Sequence, residues 1–467
     1  MSHGHARAAA ALLLLCPLAA RADDVHLDAD TAVQAYEVRS PGAGAIMARR
    51  RLLQTLGLSW TRELDADRGE PLPRVQASLR LRLDQDFGDT CLVGRDLCVR
   101  ATDPREPGTY QPLASDTVVD APEAWAGIGG LPWGASARVG RQLWADPIGL
   151  ARLDGVTVGA EPDDWIAARA YGGAMVRTTS LAGSGAFEPQ GALRLDLDDV
   201  DPARVPYADA PTTTWLAGGD VELGMARFVR GSIGFREVWE DAGIVARRGA
   251  LSLASSPVGW LRVAADGVWD LLDQELIAAS AAIDVRVVEP LHITLEAQRR
   301  VPRFDLGTIW AYFDVAPITE GRIATRWRPT ERFELGGGAR LRRASLPGAG
   351  DESDAGLEGH LATQALGVRF SLAGFVWGGD LGPLASVAIA AERHITPWAG
   401  VEVQLSAWHF DDRSRQGLYG TSLSDAIAGV LRLSDSTKVR LVFDHAHNRV
   451  VGHRFRVLAH LQVELWR

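Results

Sequence analysis

The stretch VQASLRLRLD, residues 75–84, decides the fold class because its apolar and polar residues alternate at every position. The apolar residues from Val75 to Leu83 fall on one side of an extended chain, and the polar residues from Gln76 to Asp84 fall on the other. Successive side chains of a β-strand point to opposite faces. This period of two therefore predicts a strand with one apolar face.

The same alternation recurs along most of the chain. It is found in IDVRV (283–287), LHITLEAQRR (291–300), RFELGGGARLRR (332–343), VEVQLSAW (401–408) and FRVLAHLQVELW (455–466). A β-sandwich in water would bury such apolar faces in a core. A transmembrane barrel would instead turn them to lipid and line a lumen with the polar faces.

Three features favour the barrel over the sandwich. The strands follow one another in one unbroken chain, their apolar faces are rich in Ala, Gly and Val, and many tryptophans fall toward strand ends, where interfacial aromatic belts lie. The tryptophans concerned are Trp60, Trp125, Trp260, Trp310, Trp327, Trp398 and Trp466. We expect an all-β, transmembrane antiparallel outer-membrane barrel of about 18 strands, with an even number in a range of roughly 18–22.

The connections between strands alternate in length. Short turns are expected at 256–257, 289–290, 329–331, 396–397 and 434–436, and longer loops at 302–318, 346–356 and 411–420. Outer-membrane barrels have short periplasmic turns and long outer loops, so this asymmetry also favours a barrel. The alternation loses its phase between residues 357 and 382, where one long strand and a hairpin are both compatible with the sequence.

The N-terminus predicts export from the cytoplasm. Arg7 precedes an apolar run that ends in the small-residue exit Ala20-Arg21-Ala22, which is the arrangement of a secretory signal peptide. We expect a signal peptide at 1–22, a short periplasmic N-terminal segment at 23–48 and a single barrel at 49–467. The predicted location is the outer membrane of a Gram-negative bacterium, and the net charge of −10 disfavours a nucleic-acid partner.

Cys91 and Cys98 are the two cysteines that remain after the signal peptide. A pair of cysteines in an oxidising compartment usually forms a disulfide, so we expect these two to close a small loop. Two unpaired thiols are the alternative. A metal site is not favoured, because no histidine or further cysteine lies nearby to complete four ligands.

The polar faces of the strands predict a charged lumen in which arginines alternate with carboxylates. The predicted lumen-lining residues are Arg80, Arg82, Arg138, Arg194, Asp196, Asp284, Arg286, Glu296, Arg300, Arg322, Arg326, Glu334, Arg340 and Arg342. Opposed rows of acids and bases create a transverse field across a pore. The arginines between 322 and 342 favour an anionic or polyhydroxylated solute, although any water-filled barrel needs polar residues on its inner face.

We expect no enzyme, no cofactor and no metal. GxSxG, HExxH and Walker-type motifs are absent from the sequence. His445, His447 and His453 lie close together, but the stretch has the character of a strand end that runs into an outer loop. Residues 303–320 interrupt the alternation, and they predict either a surface helix or a loop that folds into the lumen.

Residues 118–156 carry a resemblance to a known family. VVDAPEAWAGIGG (118–130) and ASARVGRQLWADPIGLARLDGV (135–156) resemble the alginate-export porin family, in which an acid-aromatic strand is followed by a Gly-Arg-Gln strand and an acidic-glycine segment. The matching positions are Glu123, Trp125, Gly140, Arg141, Gln142, Asp154 and Gly155. The resemblance implies a large barrel that serves as an exit channel in exopolysaccharide secretion, with Arg141 in an arginine-lined constriction.

The position of Arg141 has two interpretations. Strict alternation places it on the face of Val139 and Leu143, so either a bulge lies at Gly140 or Arg141 does not face the lumen. Residues 139–161 are expected to be a strand, the short turn ADPIG and the start of the next strand, and to form the rim of a pore.

The main functional hypothesis is an outer-membrane channel for export or diffusion of a polar solute, foremost an exopolysaccharide that could be anionic. A general or nutrient-specific porin is the first alternative. The second is a barrel scaffold whose periplasmic loop at 86–114 docks a periplasmic polysaccharide-export protein. The expected partners are outer-membrane lipid and a polar or saccharide solute.

Overall fold

The computed structural model describes residues 23–39, 46–64, 73–86, 117–176, 214–226, 228–240, 243–301, 316–346, 350–411, 419–448 and 452–466. They form 22 strands in one sheet. The strands are β1 Asp23–Arg39, β2 Ile46–Glu63, β3 Arg74–Asp86, β4 Thr117–Leu131, β5 Ala135–Asp146, β6 Gly149–Asp163, β7 Ile166–Met175, β8 Trp215–Ala226, β9 Val229–Glu240, β10 Gly243–Val258, β11 Leu261–Asp270, β12 Glu275–Val288, β13 Leu291–Arg300, β14 Ile318–Thr330, β15 Phe333–Leu346, β16 Gly350–Ala365, β17 Val368–Gly379, β18 Leu384–Thr396, β19 Ala399–Asp411, β20 Tyr419–Ser434, β21 Thr437–Asn448 and β22 Gly452–Trp466.

The sheet closes into a barrel. Each strand pairs antiparallel with the next along the chain, and β22 pairs with β1, for example at Val33↔Ala459. Closure pairs the backbone groups that an open sheet would leave unpaired at its two edges, as a lipid environment requires. The antiparallel barrel confirms the predicted fold class, but the number of strands is 22 and the expectation of about 18 is wrong.

The first strand is one source of the wrong count. Residues 23–39 form β1, and β2 begins at Ile46, so the structure corrects the expectation of a periplasmic segment at 23–48. Acidic residues at alternate positions made this strand difficult to recognise from the sequence. Asp28 and Asp30 lie on the inner face, where Asp28 is 3.6 Å from Arg80 and Asp30 accepts a hydrogen bond of 2.6 Å from His460.

The stretch between 346 and 382 is the other source. It contains β16 and β17, joined by a two-residue turn in which Leu366 and Gly367 both have positive φ, at 52° and 74°. Such turns normally carry Asn or Gly at the first position. Because this turn has leucine there, the sequence contains no signal for the hairpin. The long loop expected at 346–356 is also wrong, because β16 already begins at Gly350.

The two ends of the barrel differ. β1 begins and β22 ends at the end that carries most of the two-residue turns, and the three longest connections, 87–116, 176–214 and 301–317, join strands at the opposite end. β3 ends and β4 begins at this long-loop end. The segment 86–114 therefore starts at the end of the barrel opposite to the start of β1, where the long connections lie, rather than at the short-turn end expected of a periplasmic loop. Residues 87–114, with Cys91 and Cys98, lie outside the described residues.

Alternate residues of each strand share a face, and one face carries exposed apolar side chains, such as Leu341 and Leu357 at 67% and 68% exposure. Side chains of strands two apart meet on the other face, where Arg322 of β14 contacts Glu358 of β16. That convergence marks the second face as the concave inner surface. A closed barrel with an apolar outer face is an integral outer-membrane protein.

Tryptophans mark the interface at the short-turn end. Trp133, Trp165, Trp260 and Trp398 are exposed in or beside the turns at this end, as in an aromatic girdle. Trp125 departs from the expected pattern, because it lies on the inner face beneath the guanidinium of Arg138. No helix in the part of the chain that the structure describes is long and apolar enough to cross a membrane.

Candidate functional site

The hairpin of β5 and β6 leaves the barrel wall before it ends. β5 pairs with β4 only as far as Arg141↔Ala124, although β4 continues along β3 to Thr117. β6 pairs with β7 up to Leu153↔Met175, and the Val176 amide still donates to the Arg152 carbonyl at the point where the described residues end. The segment beyond these pairs, residues 141–154, is called the inner hairpin below.

Two glycines stand opposite each other where the inner hairpin begins. Gly140 pairs with Gly155, and Gly140 has a φ of 121°, which side chains with a Cβ rarely adopt. A Cβ at Gly140 would collide with the carbonyl oxygen of Ala124, and one at Gly155 would collide with that of Gly172. Only glycine at both positions allows the chain to bend this close to its neighbouring strands.

The tip of the inner hairpin is held by a buried polar cluster. Arg236 of β9 donates from Nη2 to Asp146 Oδ1 at 2.8 Å and to the carbonyl oxygen of Gly149 at 2.7 Å. Its Nε donates at 2.8 Å to the hydroxyl of Tyr171, which in turn donates to Asp146. The Asp146 side chain is 0% exposed and also accepts from the backbone amides of Ile148 and Gly149. Asp146, Tyr171 and Arg236 are called the tip cluster.

The register shows that the tip folds back into the lumen. Tyr171 pairs with Thr157, and Gly149 lies eight residues from Thr157 along β6. A straight hairpin would place Gly149 about 27 Å away from the level of Tyr171. Tyr171, Gly218 and Arg236 form one row on the inner face, so contact with this row requires the tip to lie against the inside of β7–β9.

Apolar side chains pack between the inner hairpin and the wall. Leu153 of the hairpin and Leu216 of β8 are 0% and 1% exposed, and Ala151 and Tyr171 complete the cluster. The ring centroids of Trp144 and Tyr171 are 5.3 Å apart. Complete burial of a leucine side chain stabilises by roughly 1.5–3 kcal/mol, so this packing holds the hairpin in addition to the tip cluster.

The base of the inner hairpin is fixed by a bidentate ion pair. Arg141 donates from Nε and Nη2 to the two carboxylate oxygens of Asp154, each at 2.7 Å, and from Nη1 to the carbonyl oxygen of Ala121 at 3.2 Å. The ladder has no register shift at Gly140, so no bulge lies there. Arg141 shares the face of Val139 and Leu143, and besides Asp154 of its own hairpin it contacts Asp120 of β4, whose Oδ1 lies 3.5 Å from Nη1.

Of the remaining motif residues, Gln142 serves the hairpin, whereas Glu123 and Trp125 contact each other on β4. Gln142 is buried, accepts from the Thr157 hydroxyl at 3.1 Å and donates to the carbonyl oxygen of Gly155 at 3.4 Å. Glu123 accepts from the indole nitrogen of Trp125. The expected turn at ADPIG is present between β5 and β6, but it lies against the inside wall rather than at the rim.

A second group of charges crosses β13–β17 on the inner face. Arg322 contacts Glu296 at 3.0 Å and also Glu358, and Arg340 contacts Glu358 at 3.0 Å and Glu320 at 3.2 Å. Arg342 pairs with Asp354 at 2.6 Å. The guanidiniums of Arg340 and Arg342 lie 5.3 and 4.8 Å from the ring centroid of Trp377. These residues are called the β13–β17 network.

The other predicted lumen residues are spread around the barrel and do not converge on one point. Their local partners are Asp28 for Arg80, Trp125 for Arg138, Thr294 for Asp284, the Gly259 carbonyl for Arg286, Gln298 for Arg300 and His360 for Glu334. Arg82 is buried and Arg326 is exposed. Arg194 and Asp196 lie outside the described residues, as does most of the segment 303–320.

The histidines near the C-terminus lie on the outer face. His445 Nδ1 is 3.0 Å from Asp425 Oδ1, and His445 Nε2 is 3.0 Å from His453 Nδ1. The rings of His453 and Phe455 stack in the same row of side chains. Across the described ranges, no group of three or more His, Cys, Asp or Glu side chains has the geometry to hold a metal ion.

Sequence reasoning missed the tip cluster. Asp146 lies in a segment that was singled out, but Tyr171 and Arg236 belong to other strands, and Arg236 is 90 residues from Asp146. The available signal was the apolar pair Leu153 and Leu216, which occupies inward positions where a water-filled lumen would favour polar residues.

Comparison with known proteins gives likenesses among solved structures only. No protein-family model and no curated protein matches the chain. Acinetobacter baumannii OccAB4 is 8% identical, with a TM-score of 0.45 and coverage of 97% of this chain and 100% of its own. Pseudomonas aeruginosa OccK9 (OpdG) is 11% identical, at 0.45, with 95% and 98% covered. A BenF-like porin from Pseudomonas fluorescens Pf-5 is 9% identical, at 0.45, with 96% and 99% covered. None of these comparisons supports the alginate-export resemblance, and likenesses this distant assign neither a family nor a solute.

Proposed function

We propose that the protein is a passive outer-membrane channel for small polar solutes, in which the inner hairpin sets the aperture. The observation that carries this proposal is the tip cluster, which holds residues 141–154 against the inside of β7–β9. A barrel of 22 strands encloses a wide lumen, and such barrels usually carry a plug or inward-folded segments. A hairpin laid across part of the lumen narrows it to a defined width.

Solutes would pass between the free surface of the inner hairpin and the opposite wall. That surface carries Leu143 and Leu150, which are 57% and 69% exposed, beside the Arg141–Asp154 ion pair. The surrounding wall supplies alternating guanidinium and carboxylate groups, which exchange hydrogen bonds with a polar solute during passage. Selection by width and by hydrogen bonding requires no covalent step.

The same arrangement argues against export of a polymer. The inner hairpin is fixed by buried polar contacts and by a packed apolar cluster, and it stays in the path of any chain that threads the lumen. A narrowed and fixed aperture suits solutes of limited size. We therefore favour the porin alternative over an exopolysaccharide exit channel.

Planar-bilayer recordings with neutral polymers of graded size test this proposal. The wild type is compared with a variant in which residues 142–153 are replaced by Asn-Gly, a pair that closes a two-residue hairpin turn. We expect ion current from both proteins, with a higher conductance and a larger polymer cut-off in the variant.

Two outcomes would contradict the proposal. Absence of current from both folded proteins would rule out a channel. An identical polymer cut-off in both would show that the inner hairpin does not set the aperture. Loss of heat-modifiable mobility on gels would identify a variant that has not folded, and the single substitution Arg236→Met then replaces the deletion.

A further inference from the structure

Two aromatic side chains form a corner on the inner face of β17 and β19. The ring centroids of Phe375 and Trp408 are 5.5 Å apart, and the ring planes are inclined at 82°. β18 separates the two strands, with the register Phe375↔Ser386↔Trp408. Contact across an intervening strand places both rings on the concave face, and edge-to-face packing fixes their orientation. The two rings are called the aromatic corner.

Trp408 presents an open ring surface to the lumen. It is 44% exposed, although it lies on the inner face. Trp377 lies 6.4 Å from Phe375 but is buried. The guanidiniums of Arg340 and Arg342 cover its ring. Of these two tryptophans, Trp408 is therefore the one whose π-face can take a solute.

Short hydroxyl side chains surround Trp408. Ser386 and Ser422 are its register partners on β18 and β20. Ser406 lies two positions earlier on β19 and shares a hydrogen bond of 2.6 Å with Ser424 of β20. A serine hydroxyl donates one hydrogen bond and accepts two, so these groups retain capacity for a ligand. Because they are short, they leave the indole uncovered.

The surroundings of Trp408 are uncharged on its own strand and on both neighbours. In the described stretches 384–388, 406–410 and 420–424 the inward residues are Leu384, Ser386, Ala388, Ser406, Trp408, Phe410, Gly420, Ser422 and Ser424. On one side the row continues from Phe375 to Glu358, whose carboxylate is held by the arginines of the β13–β17 network. On the other side Arg454 and Arg456 share Asp444, three strands and about 14 Å from β19.

This combination of groups selects a neutral ring that carries hydroxyl groups. An anionic or cationic solute finds no counter-ion beside Trp408, and a purely apolar ring leaves the serine hydroxyls without partners. A pyranose in the chair form satisfies both requirements. Its axial C–H groups pack on an aromatic face, and its hydroxyls project from the ring edge toward hydrogen-bonding neighbours.

We propose that the aromatic corner binds a neutral pyranose ring, stacked on Trp408 and hydrogen-bonded to the surrounding serines. Trp408 lies about 10 Å before the long-loop end of β19, which faces outward in barrels of this kind. Tyr171 of the tip cluster lies near the middle of β7, which also runs toward the long-loop end. A sugar entering from outside therefore meets the aromatic corner before the inner hairpin. As an account of the transported solute, this inference rests on the proposed channel function.

Saturation-transfer difference NMR of the full-length protein in detergent micelles tests the binding step, with D-glucose and D-sorbitol as probes. Both probes are uncharged and hydroxylated, but sorbitol has no ring face. We expect saturation of the axial protons of glucose and no signal above background from sorbitol. Trp408→Ala should weaken glucose binding at least about fivefold, since stacking on one aromatic ring contributes about that factor or more.

Trp215→Ala is the matched control. Trp215 is 45% exposed and also lies at the long-loop end, but it stands on the outer face beside the inward Leu216. This variant should bind glucose as the wild type does. Heat-modifiable mobility on gels confirms that both variants are folded.

Planar-bilayer recordings separate this site from the channel function. Glucose added on the long-loop side should reduce the wild-type current more than sorbitol at the same concentration, which matches its viscosity. Ion current without that difference would contradict the sugar site and leave the channel in place. Glucose binding by NMR without ion current would contradict the channel and leave the site in place.

Three results would overturn the proposal. The first is equal saturation of glucose and sorbitol by the wild type, a comparison that needs no variant to fold. The second is an unchanged glucose affinity in Trp408→Ala. The third is displacement of glucose by benzoate with a higher affinity that also depends on Trp408, which would assign the aromatic corner to planar aromatic acids.

Discussion

Replacing Arg236 by methionine should release the inner hairpin from the barrel wall. The substitution keeps an unbranched apolar stem beside Tyr171 and removes the guanidinium. It therefore eliminates three hydrogen bonds at once, to the Asp146 carboxylate, to the Gly149 carbonyl and to the Tyr171 hydroxyl. Asp146 then remains buried without its counter-ion.

The magnitude follows from the burial of this pair. Removal of one partner of a buried ion pair costs about 3–5 kcal/mol, because the remaining charge is left uncompensated. The equilibrium between held and released hairpin should shift by roughly a hundredfold to several thousandfold. The apolar contacts of Leu153 and Leu216 are untouched and still favour the held state by a few kcal/mol, about 1.5–3 for each leucine. We therefore expect exchange between two states rather than permanent release.

Single-channel recordings measure this exchange directly. The wild type should show one dominant conductance, and Arg236→Met should add a second, larger level with a larger polymer cut-off. Arg440→Gln is the matched control, because Arg440 also forms an inner-face ion pair, with Glu402 at 2.6 Å, on strands away from the inner hairpin.

An engineered disulfide tests whether the second, larger conductance level arises from release of the inner hairpin. A Cβ at Gly234 would lie 3.6 Å from Cβ of Pro147, within the range of about 3.5–4.5 Å that disulfides require. Pro147→Cys/Gly234→Cys is added to Arg236→Met with Cys91 and Cys98 replaced by serine. The larger level should disappear under oxidation and return with reductant. The reasoning is refuted if Arg236→Met and Arg440→Gln give the same conductance histogram, or if the oxidised tether leaves the larger level in place.

Three further substitutions test separate parts of the arrangement. Leu153→Ala should destabilise the held inner hairpin by about 2–5 kcal/mol through cavity formation, seen as faster amide exchange in 142–153 while exchange in the distant strands β18–β20 stays unchanged. Gly140→Ala should lower the free energy of unfolding by at least about 1–3 kcal/mol, because alanine is strained at this positive φ and its Cβ would collide with the Ala124 carbonyl oxygen. A melting temperature equal to that of the wild type would contradict this. Glu358→Gln should remove the negative charge that neutralises Arg322 and Arg340, and so move the reversal potential toward anion selectivity. An unchanged reversal potential would place the β13–β17 network outside the ion path.

The sequence predicted those parts of the fold that depend on local pattern. A period of two and the short turns are properties of neighbouring residues, and they were enough to establish an antiparallel barrel and its two faces. β1 and the Leu366–Gly367 turn were missed because each lacks the expected local signal: the first is rich in aspartate and the second has no turn residue at its leading position.

The candidate site depends on contacts that no local pattern contains. The row Tyr171–Gly218–Arg236 exists only after three strands are placed in register, and its contact with Asp146 exists only after the hairpin bends at Gly140 and Gly155. Leu153 and Leu216 gave a hint, since apolar residues at inward positions imply that something covers them. The sequence could have predicted a covered patch in the lumen, but it could not have named the segment that covers it.

The partners of the arginines change the inference about the solute. In the linear sequence, Arg322, Arg340 and Arg342 favoured an anionic or polyhydroxylated solute. In the barrel Glu358 lies between the first two, and Asp354 pairs with the third, so neighbouring strands supply the carboxylates that the linear sequence separates. A compensated row attracts anions only weakly, but its opposed dipoles bind groups that both donate and accept hydrogen bonds. We therefore expect neutral hydroxylated and zwitterionic solutes to pass this lumen more readily than polyanions.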